Sequence, residues 1–129
     1  MTLYNPTVRH LWTLGNGNGP LVLSGVGAQH IGPIDTQEAC DLGLYIAVAG
    51  AVTGAGATLD AQIDGLDAAG NVYAQLAKIT QLTATGNGTA FCGLHINPGI
   101  VLPEHIQVTL TLGGTTPVFN GVSATLFAR

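Results

Sequence analysis

Charge is what this sequence has least of. Only 8% of its 129 residues are Asp, Glu, Lys or Arg, against about 25% in an ordinary soluble domain. Three are basic (Arg9, Lys78 and Arg129), and the formal net charge is −4. A protein that grips nucleic acid needs clustered Lys and Arg against phosphate, so that class is excluded. A polybasic membrane-surface protein is excluded on the same ground. Serine is scarce too: Ser24 and Ser123 are the only two, and neither sits in a Gly-x-Ser-x-Gly elbow. The four histidines, His10, His30, His95 and His105, show no HxH or HxxxH spacing, and no cysteine pair brackets them, so no zinc ligand set is expected. With one Trp, three Tyr and three Phe, the chain is poor in the aromatic platforms of sugar-binding sites.

Cysteine is limited to Cys40 and Cys92. The opening Met1-Thr2-Leu3-Tyr4-Asn5-Pro6 has no basic stretch followed by an apolar one, so no secretory signal is apparent and two free thiols are expected. Cys92 and His95 stand three apart, a spacing that sends two strand residues to opposite faces and forms no dyad. Asp41 and Asp60 enclose 18 uncharged residues in which Gly50 and Gly54 have the GxxxG spacing. The absence of flanking Lys, Arg and aromatics argues against a membrane span there. No window shows a helical period; Ile31–Asp41 has room for one short helical turn.

What the sequence does have is alternation. Glu104-His105-Ile106-Gln107-Val108-Thr109-Leu110-Thr111-Leu112 switches strictly between polar and apolar, as a half-buried strand does. Thr58–Asp64 alternates in the same way, and Val72–Ile79, Val118–Phe127, Thr89–Ile96 and Leu21–Ser24 are further β-type runs. Leu42–Ala49 is nearly continuous apolar, the pattern of a strand covered on both sides. Nineteen glycines punctuate these runs. Asp67–Asn71 suits a hairpin loop with Gly70 left-handed. Gly86-Asn87-Gly88, Asn97-Pro98-Gly99 and Gly113-Gly114 predict turns, and Gly50–Ala57 a loose connection. The expected fold is all-β: an antiparallel β-sandwich or jelly roll of about seven or eight short strands.

Residues 1–19 differ in kind from residues 20–129, which form the expected β-sandwich domain. Leu3, Tyr4, Val8, Leu11 and Trp12 precede a hinge-like Gly15-Asn16-Gly17-Asn18-Gly19-Pro20. They constitute either the first strand of the domain or an apolar arm that packs on a neighbouring subunit, which makes these five the candidate interface residues. Asp60–Asn71 loosely follows a calcium loop, with acids at its first and fifth places and Gly65 at the sixth. Gln62 at the third place and Asn71 at the twelfth depart from that pattern. Asp60, Gln62 and Asp64 read better as one solvated strand face. No cofactor, metal or catalytic residue is expected.

From Leu59 to Leu126 the order is a strand (LDAQIDGLD), a short loop (AAGN), a strand (VYAQL), a Thr/Gly-rich stretch (TQLTATGNGTAFCGL) and IQVTLTLGGTTPVFNGVSATL. This resembles the small β-sandwich head decoration, or cement, proteins of tailed bacteriophages. The resemblance implies a non-enzymatic virion protein, often trimeric, on the outer capsid surface. There it would bridge subunits of the major capsid protein, after assembly in the host cytoplasm. Tail-tube and fibre components share similar local patterns, and a carbohydrate- or ligand-binding sandwich is the alternative from another class. A chain so poor in charge suits permanent interfaces, which are themselves depleted in charge.

Overall fold

The structure, a computed structural model, describes residues 8–14, 21–97 and 101–129. Every regular element among them is a strand: β1 (Arg9–Leu14), β2 (Leu21–Ser24), β3 (Gly27–Asp35), β4 (Asp41–Val48), β5 (Val52–Leu66), β6 (Val72–Lys78), β7 (Gly86–Gly93) and β8 (His105–Ala128). All pairings are antiparallel and all belong to one sheet. No described helix is long and apolar enough to cross a membrane.

β8 is the spine. It is 24 residues long and pairs with five other strands. Along one edge β5 takes its first half (Leu66↔His105 to Val52↔Phe119) and β4 its second (Val48↔Val122 to Leu42↔Ala128). Along the other edge lie β3, β2 and β1 in turn. β6 extends the first half beyond β5, and β7 extends the second beyond β4.

A sheet without helices has only itself to cover its apolar face. Ile106, Val108 and Leu110 of β8 are buried beside Leu59, Ala61 and Ile63 of β5, all in the first half. Val122, Ala124 and Leu126 are buried beside Leu42, Leu44 and Ile46 of β4 in the second. These residues form one continuous core, so the two halves face each other as the layers of a sandwich. Each Val, Leu or Ile among them contributes about 1.5–3 kcal/mol by leaving water. Trp12, Leu14 and Ile31 pack on the margin of the core. Where the far edges meet, Ile79, just past β6, lies against Gly88 of β7.

The fold line runs through glycines. β8 does not turn at Gly113-Gly114, as its sequence predicts, but continues as a strand that bends there. Gly50–Ala57 is likewise no loose connection, since β5 starts at Val52 and shifts register between Thr53 and Thr58. The two strands bend at the same level: Ala55 pairs with Thr115 and Thr58 with Gly113. Gly114 has φ +101° and Gly54 φ +104°, both in the left-handed region that glycine tolerates best. Each also approaches the other strand closely. A Cβ on Gly114 would stand 2.6 Å from the Gly56 carbonyl oxygen, and one on Gly54 would stand 2.6 Å from that of Thr116.

Other expectations are refined. Gly86–Gly88 opens β7 and makes no turn. β5 and β8 are long, because the sequence marks their bends with the same residues that mark turns. β3 extends to Asp35, and the chain reverses through Gln37 and Glu38 at φ 53° and 59° without forming a helical turn. The Asp67–Asn71 hairpin has Gly70 at φ +85°, and Asp67 Oδ1 accepts the Ala69 and Asn71 amides at 2.9 Å each. Of the turn expected at Asn97-Pro98-Gly99, Pro98 and Gly99 lie outside the described residues, as does the hinge segment 15–20.

Gly70→Ala, with open space around its new methyl, tests conformation alone and is expected to cost about 1–2 kcal/mol. Gly114→Ala meets backbone as well, and urea unfolding is expected to show a loss at least about 2 kcal/mol larger. Equal losses for the two variants would show that the bend tolerates side chains.

Candidate functional site

The two outer faces of the sandwich differ. On the first half, alternation places Asp60, Gln62 and Asp64 of β5 beside Thr111, Thr109 and Gln107 of β8. Thr109 Oγ1 donates to Asp64 Oδ2 at 2.6 Å and Gln62 Nε2 donates to Oδ1 at 2.6 Å. His30 Nδ1 from β3 lies 3.0 Å from Thr109 Oγ1 and 3.2 Å from Gln107 Nε2. Asp64 is only 3% exposed. The expectation of a solvated face therefore fails at Asp64, whose neighbours cover it and satisfy its carboxylate. Asp60 is held by Gln81 Nε2 at 2.9 Å and by the Lys78 ammonium at 3.4 Å. These acids are distributed along a strand, and among the described residues no three His, Cys, Asp or Glu side chains converge as a metal site.

The second half carries an aromatic row. Strand pairing aligns Phe91 of β7, Gly43 of β4, Phe127 of β8 and His10 of β1 side by side. Phe91 is 59% exposed. Its ring leans over Gly43, 3.0 Å from where a Cβ would be. His10 meets Phe127 edge to face, with ring centroids 4.7 Å apart. In the next row, Tyr45 stands partly exposed between Thr89 and Thr125. Gly43, lacking a side chain, is the floor of a cleft of about 380 Å³ walled by Val8, Phe91, Ile96 and Phe127. The long apolar run of β4 thus has one face in the core, while its other face supplies this floor and Tyr45 instead of lying wholly under cover.

A buried charge closes one end of the cleft. Asp41, 2% exposed, begins β4. Its Oδ1 accepts the His95 amide at 3.0 Å, and its Oδ2 accepts His95 Nδ1 at 2.8 Å and Arg129 Nε at 3.2 Å. Because an ionised carboxylate only accepts, Nδ1 carries the proton. The cluster ties the turn after β7 to the last residue of the chain and fixes Ile96 in the cleft wall. Gly93, at φ +137°, lies so close to this carboxylate that a Cβ would meet Asp41 Oδ1 at 2.5 Å.

This is an aspartate–histidine pair without a nucleophile in the same row. Ser123 is opposite Ala47, further along the sheet. Cys92 faces the core and is fully buried. Burial first, and the Asp41 charge second, push its thiol up from 9.0 to about 11. A thiol held neutral in this way is a poor nucleophile. Both cysteines are free.

The residues singled out from sequence fall in different places. Val8 is exposed in the cleft wall, whereas Leu11 and Trp12 of β1 are partly buried against the core of their own chain. Leu3 and Tyr4 lie outside the described residues. The sequence reading missed Gly43, Phe91, Ile96 and Phe127. Their one local signal is that Phe91 and Phe127 fall on the outward parity of their strands. Comparison of the chain with protein-family models, with curated proteins and with solved structures found no match.

In the unfolded chain the Cys92 thiol ionises near pH 9; in the folded protein it does so near 11. Between these values the folded state holds more protons, so stability falls as pH rises, and below pH 9 the contribution is intact. Urea midpoints measured from pH 8 to 11 are expected to fall more steeply for the wild type than for Cys92→Ala. Parallel slopes would refute the raised ionisation.

Proposed function

We propose that this chain is a structural virion subunit, not an enzyme. It associates with copies of itself, decorates an assembled phage capsid and stabilises it by binding the major capsid protein lattice. The observation that carries the association reading is an aromatic cleft that the other described residues leave open, on a protein with few charged residues. Phe91, Val8 and Ile96 expose apolar side chains around one cleft, and charge-depleted apolar patches are what permanent interfaces are built from. The virion assignment rests on the sequence resemblance. A cyclic oligomer, with a trimer favoured, repeats each contact, and many copies on a lattice gain from multivalency. A subunit that binds the expanded shell more tightly than its precursors shifts the equilibrium toward that shell by mass action.

The cleft volume also favours a second reading, a ligand-binding module, because it falls within the range of small-molecule sites. Its wall is mainly apolar, so the ligand would be an apolar group rather than a sugar rich in hydroxyls.

Light scattering on the purified protein is expected to give an oligomer. Added to expanded tailed-phage shells, the protein is expected to bind saturably and raise the temperature at which they dissociate. A monomer that leaves the shells unchanged would overturn the reading. Titration with a small apolar probe would favour the second reading if binding saturates one site per monomeric chain.

A further inference from the structure

We infer that the cleft between Phe91 and Phe127 is the acceptor for the segment Met1–Thr7 of a second copy of this chain. The inference deepens the association reading and rests on it. It names which part of one molecule enters which part of the next.

Two observations carry it. The first is chemical match. Met1–Thr7 reads MTLYNPT, with two large apolar side chains, Leu3 and Tyr4, and no charged one. The cleft is walled by Val8, Phe91, Ile96 and Phe127 over a glycine floor. Its one buried acid, Asp41, is already engaged by His95 and Arg129, so the cleft asks for no counter-charge. A tyrosine is the side chain such a notch accommodates well: apolar on its faces, with a hydroxyl that can remain at the wet rim.

The second is position. The segment joins the described chain at Val8, which is itself cleft wall. Donor and acceptor therefore share one end of the molecule. If copies pack around an axis near that end, every copy gives one segment and receives one, and the ring closes without an unfilled cleft. Seven extended residues reach at most about 23 Å, enough to cross from one subunit end to its neighbour.

The association reading is what selects a neighbour over the molecule's own cleft. Val8, Ala128 and Arg129 line the cleft together with Gly43, so the segment leaves the described chain at the cleft rim. A segment that filled its own cleft would leave association unchanged when deleted, an outcome the test below separates.

The test uses two variants of the full chain that fail for opposite reasons. Deleting Met1–Thr7 removes the donor and leaves the acceptor. Gly43→Val fills the floor and leaves the donor; Gly43 does not need a left-handed backbone, and the neighbour its side chain meets is the exposed Phe91 ring. Phe91→Ala serves as a second acceptor variant should Gly43→Val unfold on heating. Each variant alone is expected to lose association at least about 30-fold in sedimentation equilibrium, the size of losing one interface anchor. Mixed in equal amounts, they are expected to recover a heterodimer, because one intact donor then meets one intact acceptor. A wild type that associates while the deletion variant associates equally well would overturn this inference and leave the association reading standing. Loss in both variants without recovery on mixing would overturn it as well. A monomeric wild type that ignores phage shells would overturn both.

Discussion

The rest of the structure depends on one constraint: an all-β sheet with no covering helix among the described residues must hide its apolar face against itself. Here a single long strand serves both layers. β8 crosses the fold line, and its two halves carry β3 and β5 on one side of the bend and β1, β4 and β7 (through β4) on the other. The bend itself is a place where two backbones nearly touch. Gly114 and Gly54 are needed there both for their φ values and for the space they leave. Hydrophobic burial drives the layers together; the glycines determine where the sheet can fold.

Much of this was legible in the sequence, and the failures have one cause. The period of two in Glu104–Leu112 and Thr58–Asp64 identified the strands and their buried faces, because alternation is a local consequence of the pleat. The hairpin at Asp67–Asn71 was legible from its turn residues, Gly70 above all, which also act locally. Gly113-Gly114 and Gly54–Gly56 were misread, because a glycine that lets a strand bend and one that lets it turn look alike until the partner strand is known. The candidate site was still less legible. Gly43, Phe91 and Phe127 are far apart in sequence and become neighbours only through the registers of β4 with β7 and β8. No period in any one segment encodes that meeting. Trp12, singled out as a candidate interface residue, packs at the margin of the core because β1 is paired into the sheet with this residue opposite Leu126.

The two outer faces show how differently one architecture treats polar and apolar surface. On the first half, a carboxylate that is almost fully covered, Asp64, has its oxygens satisfied by Thr109, Gln62 and Gln107, so the face is closed and self-sufficient. On the second half, Asp41 has a different task. Its bonds to His95 and Arg129 pin the turn after β7 and the end of β8, and the cleft between those elements stays open. Hydrogen bonding thus completes one face, while on the other it braces the edges of an apolar surface that the other described residues leave open.

The position of β8 along the chain also bears on how the protein is made. It is synthesised after every strand it joins, so as the polypeptide emerges from the ribosome, β1, β2 and β3 wait without a partner and β4 and β5 lack their main one. Their unpaired edges and alternating apolar side chains remain open to other chains until translation delivers the strand that joins them. The native pairing of those strands therefore waits for β8, whose contacts with them are long-range in sequence.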